Sequence, residues 1–218
     1  MIKIINRLYL TPEGCSIKQR NKFFPVHIRQ GDIDGACSVY ALMMNLLILN
    51  TIKRTQLEDL YDKIKKSPEV ENLFKEFFGK HGLIRNGFYF HDVCKLVNKT
   101  FGKVIEAKVY ENEKENYPFN IIDITKEAIN SDYPIMLGID FKGGGGHAVL
   151  AIGYESDDGG LFNIFCLDPG YDYNPTSYWN MVISLDINKG QYPHQCLTEN
   201  RYNCPYIKLM DALRITKI

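Results

Sequence analysis

Long hydrophobic runs are missing from this sequence. The longest, Val39 to Leu49, is broken by Asn45 and falls well short of the roughly 20 apolar residues that a helix needs to cross a bilayer, which argues against membrane insertion. At the N-terminus, MIKIINRLYL is interrupted by Lys3, Asn6 and Arg7 before the apolar stretch of a secretory signal can form. Net charge is missing as well: Lys+Arg and Asp+Glu stand at 26 each, so no general affinity for nucleic acid or for an anionic membrane is expected. Cysteine is sparse. Six in 218 residues are too few for a disulfide scaffold, and their core-type neighbours (Val93-Cys94, Phe165-Cys166) point to a reduced compartment. The expected place of action is therefore the cytoplasm, or a target cell reached without a signal peptide. Internal repeats are absent, and the one low-complexity tract, Gly143 to Gly146, lacks the Lys-Ser/Thr ending and the following helix of a phosphate loop.

What is present is the composition of a globular chain, 45% apolar and 24% charged, long enough for one domain with a substantial core. We read residues 1–218 as that domain, with an N-terminal extension over 1–27, a core over about 28–187 and a C-terminal segment over 188–218. From Ala36 to Leu49 apolar residues occupy nearly every helical face, as in a helix buried at the centre of a core. Thr55-Gln-Leu-Glu58 has the pattern of a capping box, and Ser67-Pro68 that of a second helix start, which Gly79 and Gly82 would end. A further helix is expected from Phe90 to Lys99. After Gly102 the period turns β-like over 104–109, and a short helix is expected over 125–129. Residues 134–140, 147–154, 161–167 and 178–187 then read as strands, and their short connections favour antiparallel pairing. Helices in the first half and an antiparallel sheet in the second define the α+β class.

One constellation carries chemistry. Cys37 opens the central helix, where unpaired backbone N–H groups and the helix dipole favour a thiolate. A thiolate needs an imidazole to share its proton, and His147 follows four glycines at the start of a strand. Asp168 ends the next strand, so a hairpin would bring its carboxylate beside His147 to orient the ring. Gln30, seven residues before Cys37, offers an amide to an oxyanion, with the Cys37 N–H as its partner donor.

These residues resemble the papain-like cysteine peptidases, and most closely their bacteriocin-processing branch, the peptidase C39-like proteins. The resemblance rests on Gln30-Gly-Asp32-Ile-Asp34-Gly-Ala-Cys37, Asp132-Tyr-Pro134-Ile, Gly146-His147-Ala-Val-Leu-Ala-Ile and Cys166-Leu-Asp168-Pro169-Gly170, in order from about residue 28 to residue 187. It implies a papain-like α+β fold in which a helical part, led by the helix with Cys37 at its N-terminus, packs against an antiparallel sheet. It implies a nucleophilic Cys37, a His147 acting as base and acid, an orienting Asp168 and an oxyanion-hole Gln30, hydrolysing a protein or peptide substrate without a cofactor. The Gln30 to Cys37 spacing is one residue longer than is usual in the family, and Ala36-Cys37-Ser38 lacks the usual glycine beside the nucleophile. No exporter domain lies within these residues, so cleavage of a double-glycine leader is not implied.

Two other readings stay open. The same residues serve acyltransferases, transglutaminases and deamidases, including bacterial toxins and effectors, and the chain is also compatible with a catalytically silent binding module. No metal is expected: Asp32 and Asp34 have no further spaced carboxylates, and His194, Cys196 and Cys204 lack the spacing and the fourth ligand of a structural zinc site. His27, His81 and His91 have no visible partner, Phe88-Tyr-Phe90 reads as core and groove wall, and 110–117 reads as a solvated loop.

Overall fold

The computed structural model describes residues 1–31, 35–59, 63–80, 87–111, 120–199 and 204–218. Eleven strands are present among them: β1 (Ile2–Ile4), β2 (Leu8–Thr11), β3 (Gly14–Gln19), β4 (Lys22–Pro25), β5 (Ile105–Glu111), β6 (Ile135–Phe141), β7 (Gly146–Asp157), β8 (Gly160–Leu167), β9 (Met181–Ser184), β10 (His194–Thr198) and β11 (Tyr206–Lys217). Five α-helices accompany them: α1 (Cys37–Ile48), α2 (Arg54–Leu57), α3 (Pro68–Phe74), α4 (Phe90–Phe101) and α5 (Ile121–Asn130). A π-helical segment, Lys75–Lys80, continues α3.

The papain-like helix-plus-sheet arrangement expected from the sequence is not what the chain builds. Strands pair in the order β7-β6-β11-β10-β9-β8, and β8 pairs back to β7, so six antiparallel strands close into a barrel. β1 and β5 are extra strands, laid along β7 and β11. Closure depends on β10 and β11, which come from the segment read as following the core. The strands anticipated over 134–187 end at an open edge, which barrel closure removes. β7 and β11, of 12 residues each, are long enough to pair with one strand near one end and another near the other.

Helix α1 matches its pattern. Every residue from Val39 to Ile48 except Tyr40 is buried, and the helix packs on β6, β7 and α4. Ser67 caps α3, its side chain accepting from Val70 N at 3.4 Å. The capping box lies two residues earlier than Thr55 to Glu58: Gln56 Oε1 accepts from Lys53 N at 2.9 Å, closing the four-residue α2. Helix α5 starts earlier than expected because Asn120 Oδ1 accepts from Ile122 N at 2.9 Å. Gly82 and residues 112–117 lie outside the described residues. Within the expected N-terminal extension, β2, β3 and β4 form a separate three-stranded sheet. No helix among the described residues is long and apolar enough to cross a membrane.

Candidate active site

The hairpin between β6 and β7 turns on glycine. Gly144 and Gly145 have φ of 91° and 94°, a region that side chains disfavour, and the turn closes through Phe141 N to Gly145 O at 3.0 Å and Gly144 N to Phe141 O at 2.8 Å. It delivers His147 opposite Ile139, with its ring stacked at 6.3 Å on that of Phe141. On the other side of β7, Leu150 pairs with Leu167 of β8, so the start of one strand lies beside the end of the other. His147 Nε2 and Asp168 Oδ1 are 2.6 Å apart.

Asp168 is 2% exposed, and its loop is held at several points. Oδ1 also accepts from Gly170 N at 2.7 Å. Asn180 Oδ1 accepts from Asp168 N at 2.7 Å, and Asn180 Nδ2 donates to Asp168 O at 2.8 Å and to Asp172 O at 3.0 Å. The Asp168 carbonyl also accepts from Nε2 of buried His27 at 2.9 Å. Neither Asn180 nor the role of His27 is readable from the sequence, since each acts from far along the chain through an irregular backbone segment.

Cys37 stands at the first position of α1, whose N-cap, Ala36, supplies no side-chain cap and whose first turn has no acidic residue. The Ser38 N–H of that first turn bonds the thiol. Burial pushes the Cys37 pKa up, but a hydrogen bond to His147, the charge of that ring and the N–H groups of Ala148 and Ser38 outweigh it, and the thiol ends below its ordinary value. With Nε2 engaged by Asp168, Nδ1 is the nitrogen left for the thiol. Burial alone would lower the His147 pKa; the hydrogen bonds and charges of Asp168 and Cys37 overcome it and push it up to about 10. Both directions favour the thiolate–imidazolium form. Burial moves the thiols of Cys15, Cys94, Cys166 and Cys196 the opposite way, upward.

Cys37 and His147 open onto a cleft of about 590 Å³. Gln30 also lines it, with its backbone N–H donating to Pro169 O at 2.9 Å, next to Asp168. The extra residue in the Gln30 to Cys37 spacing falls in a stretch whose residues 32–34 lie outside the described set. Phe88, Tyr89 and Phe90 form part of the cleft wall. His91 bonds Glu111 at the end of β5, and His81 lies outside the described residues. His194 Nδ1 accepts from Asp186 N at 3.1 Å, and no metal-holding group of His, Cys, Asp and Glu occurs among the described residues. No protein-family model matches the chain, and no curated protein is similar to it.

Proposed function

We propose that this protein is a cysteine peptidase that hydrolyses peptide bonds by acyl transfer through Cys37. One observation supports the reading above the others: a nucleophile, a base and a carboxylate, Cys37, His147 and Asp168, meet at an open cleft, with His147 hydrogen-bonded to Asp168 and its charge favouring the thiolate of Cys37. The peptide as substrate class comes from the resemblance of the same residues to the bacteriocin-processing peptidases.

In the proposed reaction Cys37 Sγ bonds to the substrate carbonyl carbon, and the π electrons move to the oxygen. The Cys37 N–H and the Gln30 amide stabilise that oxyanion. His147 passes its proton to the departing amine as the C–N bond breaks, leaving a thioester on Cys37. Water, deprotonated by His147, attacks the thioester; the carboxylic acid leaves and the thiolate–imidazolium pair returns. Asp168 holds the ring and its charge throughout, and the Asn180 clamp holds Asp168. The thiols of Cys15, Cys37, Cys94, Cys166 and Cys196 suit a reducing compartment such as the cytoplasm.

The test is exposure of a proteome-derived peptide library to the protein and to Cys37→Ala, with mass-spectrometric detection of new N-termini. Cleavage by the first and not by the second supports a peptidase. Conversion of Gln to Glu without cleavage would replace hydrolysis of the main chain by deamidation, and no change of either kind would sink the catalytic reading.

A further inference from the structure

Strand β11 does not run regularly past β6. Leu209 pairs with Ile139 and Asp211 with Gly138, leaving Met210 as a bulge, and a bulge re-aims the side chains beside it. Asp211 thereby faces the cleft. Its carboxylate occupies the space over Gly138, where a Cβ would stand 1.8 Å from Asp211 Oδ1 and 3.6 Å from the Phe90 ring. Glycine on β6 is what admits an acid at this place.

Among the described residues Asp211 makes no side-chain hydrogen bond and no ion pair, whereas the other cleft carboxylate, Asp140, has Lys208 Nζ at 3.6 Å and Tyr192 Oη at 3.3 Å. Directly across from Asp211 on β5 is Glu111, and like charges opposed on neighbouring strands repel. His91 offsets this in part, but it already bonds Glu111. Burial and Glu111 together push the Asp211 pKa up to about 6, which leaves it anionic at neutral pH. A half-buried, unpaired carboxylate is costly for a fold, and an incoming cation would offset that cost.

Position gives it a use. Asp211 pairs with Gly138 and Gly138 with Ala148, so Asp211 lies two strand spacings, roughly 10 Å, from the backbone beside His147. An extended peptide advances about 3.3 Å per residue, and a long side chain bridges the remainder. We propose that Asp211 determines specificity, its carboxylate receiving a lysine or arginine side chain of the substrate within a few residues of the bond that Cys37 attacks. The proposal rests on the thiol-peptidase reading.

Peptidyl acyloxymethyl ketones, which alkylate an active thiol with loss of a carboxylate, test it. Probes carry Lys, norleucine or Glu at each of the three residues next to the reactive ketone. Rates of Cys37 labelling are compared as ratios within each variant, so a general change in thiol reactivity cancels; iodoacetamide reads the thiol alone. The expected result is a preference for Lys over norleucine of about tenfold or more at one position. It should shrink to less than about threefold in Asp211→Asn and turn towards Glu in Asp211→Lys. Circular dichroism confirms that each variant is folded, and Asp211→Asn carries the test if Asp211→Lys is not. An unchanged Lys preference in Asp211→Asn, or indifference to the side chain in a protein that iodoacetamide labels at Cys37, overturns the subsite alone. A Cys37 that reacts with neither reagent overturns the thiol reading and this one with it.

Discussion

Replacing Asp168 by alanine alters the chemistry of Cys37 without touching it. With Asp168 Oδ1 at 2.6 Å from Nε2, the His147 pKa stands at about 10 against an ordinary 6.5, a preference for imidazolium worth about 5 kcal/mol at roughly 1.4 kcal/mol per pH unit. Burial opposes that preference, and among the groups that overcome it the Asp168 hydrogen bond leads, followed by Cys37. Its loss removes the largest of these and draws the imidazole pKa down towards its ordinary value. The thiol then loses part of its partner charge, and burial, the largest single influence on Cys37, draws its own pKa upward. Iodoacetamide labelling of Cys37, followed by mass spectrometry from pH 5 to pH 11, reads both effects. We expect a midpoint below that of a free thiol in the intact protein. In Asp168→Ala we expect about 10- to 100-fold slower labelling near pH 6, with the two curves converging at the alkaline end, where the thiol ionises without help. A midpoint at about 8.5 in the intact protein, or an equal loss at every pH in the variant, would refute the reasoning.

Asn180→Ala leaves the buried Asp168 N–H without the acceptor it has at 2.7 Å. It should cost about 1 to 3 kcal/mol in urea denaturation and slow Cys37 labelling at pH 6 more than at pH 10. Gly170→Ala places a Cβ 3.1 Å from Asp168 Oδ1 and 3.6 Å from His147 Nε2; Cys37 labelling should slow severalfold while the thermal midpoint barely moves. Gly145→Ala forces a side chain onto φ of 94°, and chemical denaturation should show a loss of about 1 to 2 kcal/mol. For Asp211, a folded-state pKa of about 6 above the ordinary 3.8 means that ionisation, with Glu111 and His91 nearby, destabilises the fold. The stabilising difference is whole below the unfolded value and is lost as pH rises through about 6. Asp211→Asn should thus gain about 2 kcal/mol at pH 8, after allowance for partial exposure, and almost nothing at pH 4. An equal gain at both pH values would contradict this account.

The parts of the site that sequence discloses are those fixed by local chemistry and one hairpin. Cys37 at the head of an apolar helix follows from the burial of Val39 to Ile48, and the approach of His147 to Asp168 follows from antiparallel β7 and β8. Closure of the barrel is not local. It needs β11, where Lys208, Asp211 and Arg214 interrupt the hydrophobic signal and the bulge at Met210 breaks its phase. On alternation alone Asp211 shares a face with Ile207, Leu209, Leu213 and Ile215, and would be taken for an isolated fault in a core strand. Only the pairing with β6, with Gly138 opposite, gives that acid a place in the cleft. Asn180 and His27 are hidden for a related reason: they bind the backbone around Asp168, and a backbone group has the same chemistry at every position, so nothing in the residue types marks the contact. The groups proposed to react are thus legible by their chemistry, whereas the residues that hold them, and the acid proposed to choose the substrate, depend on register and closure.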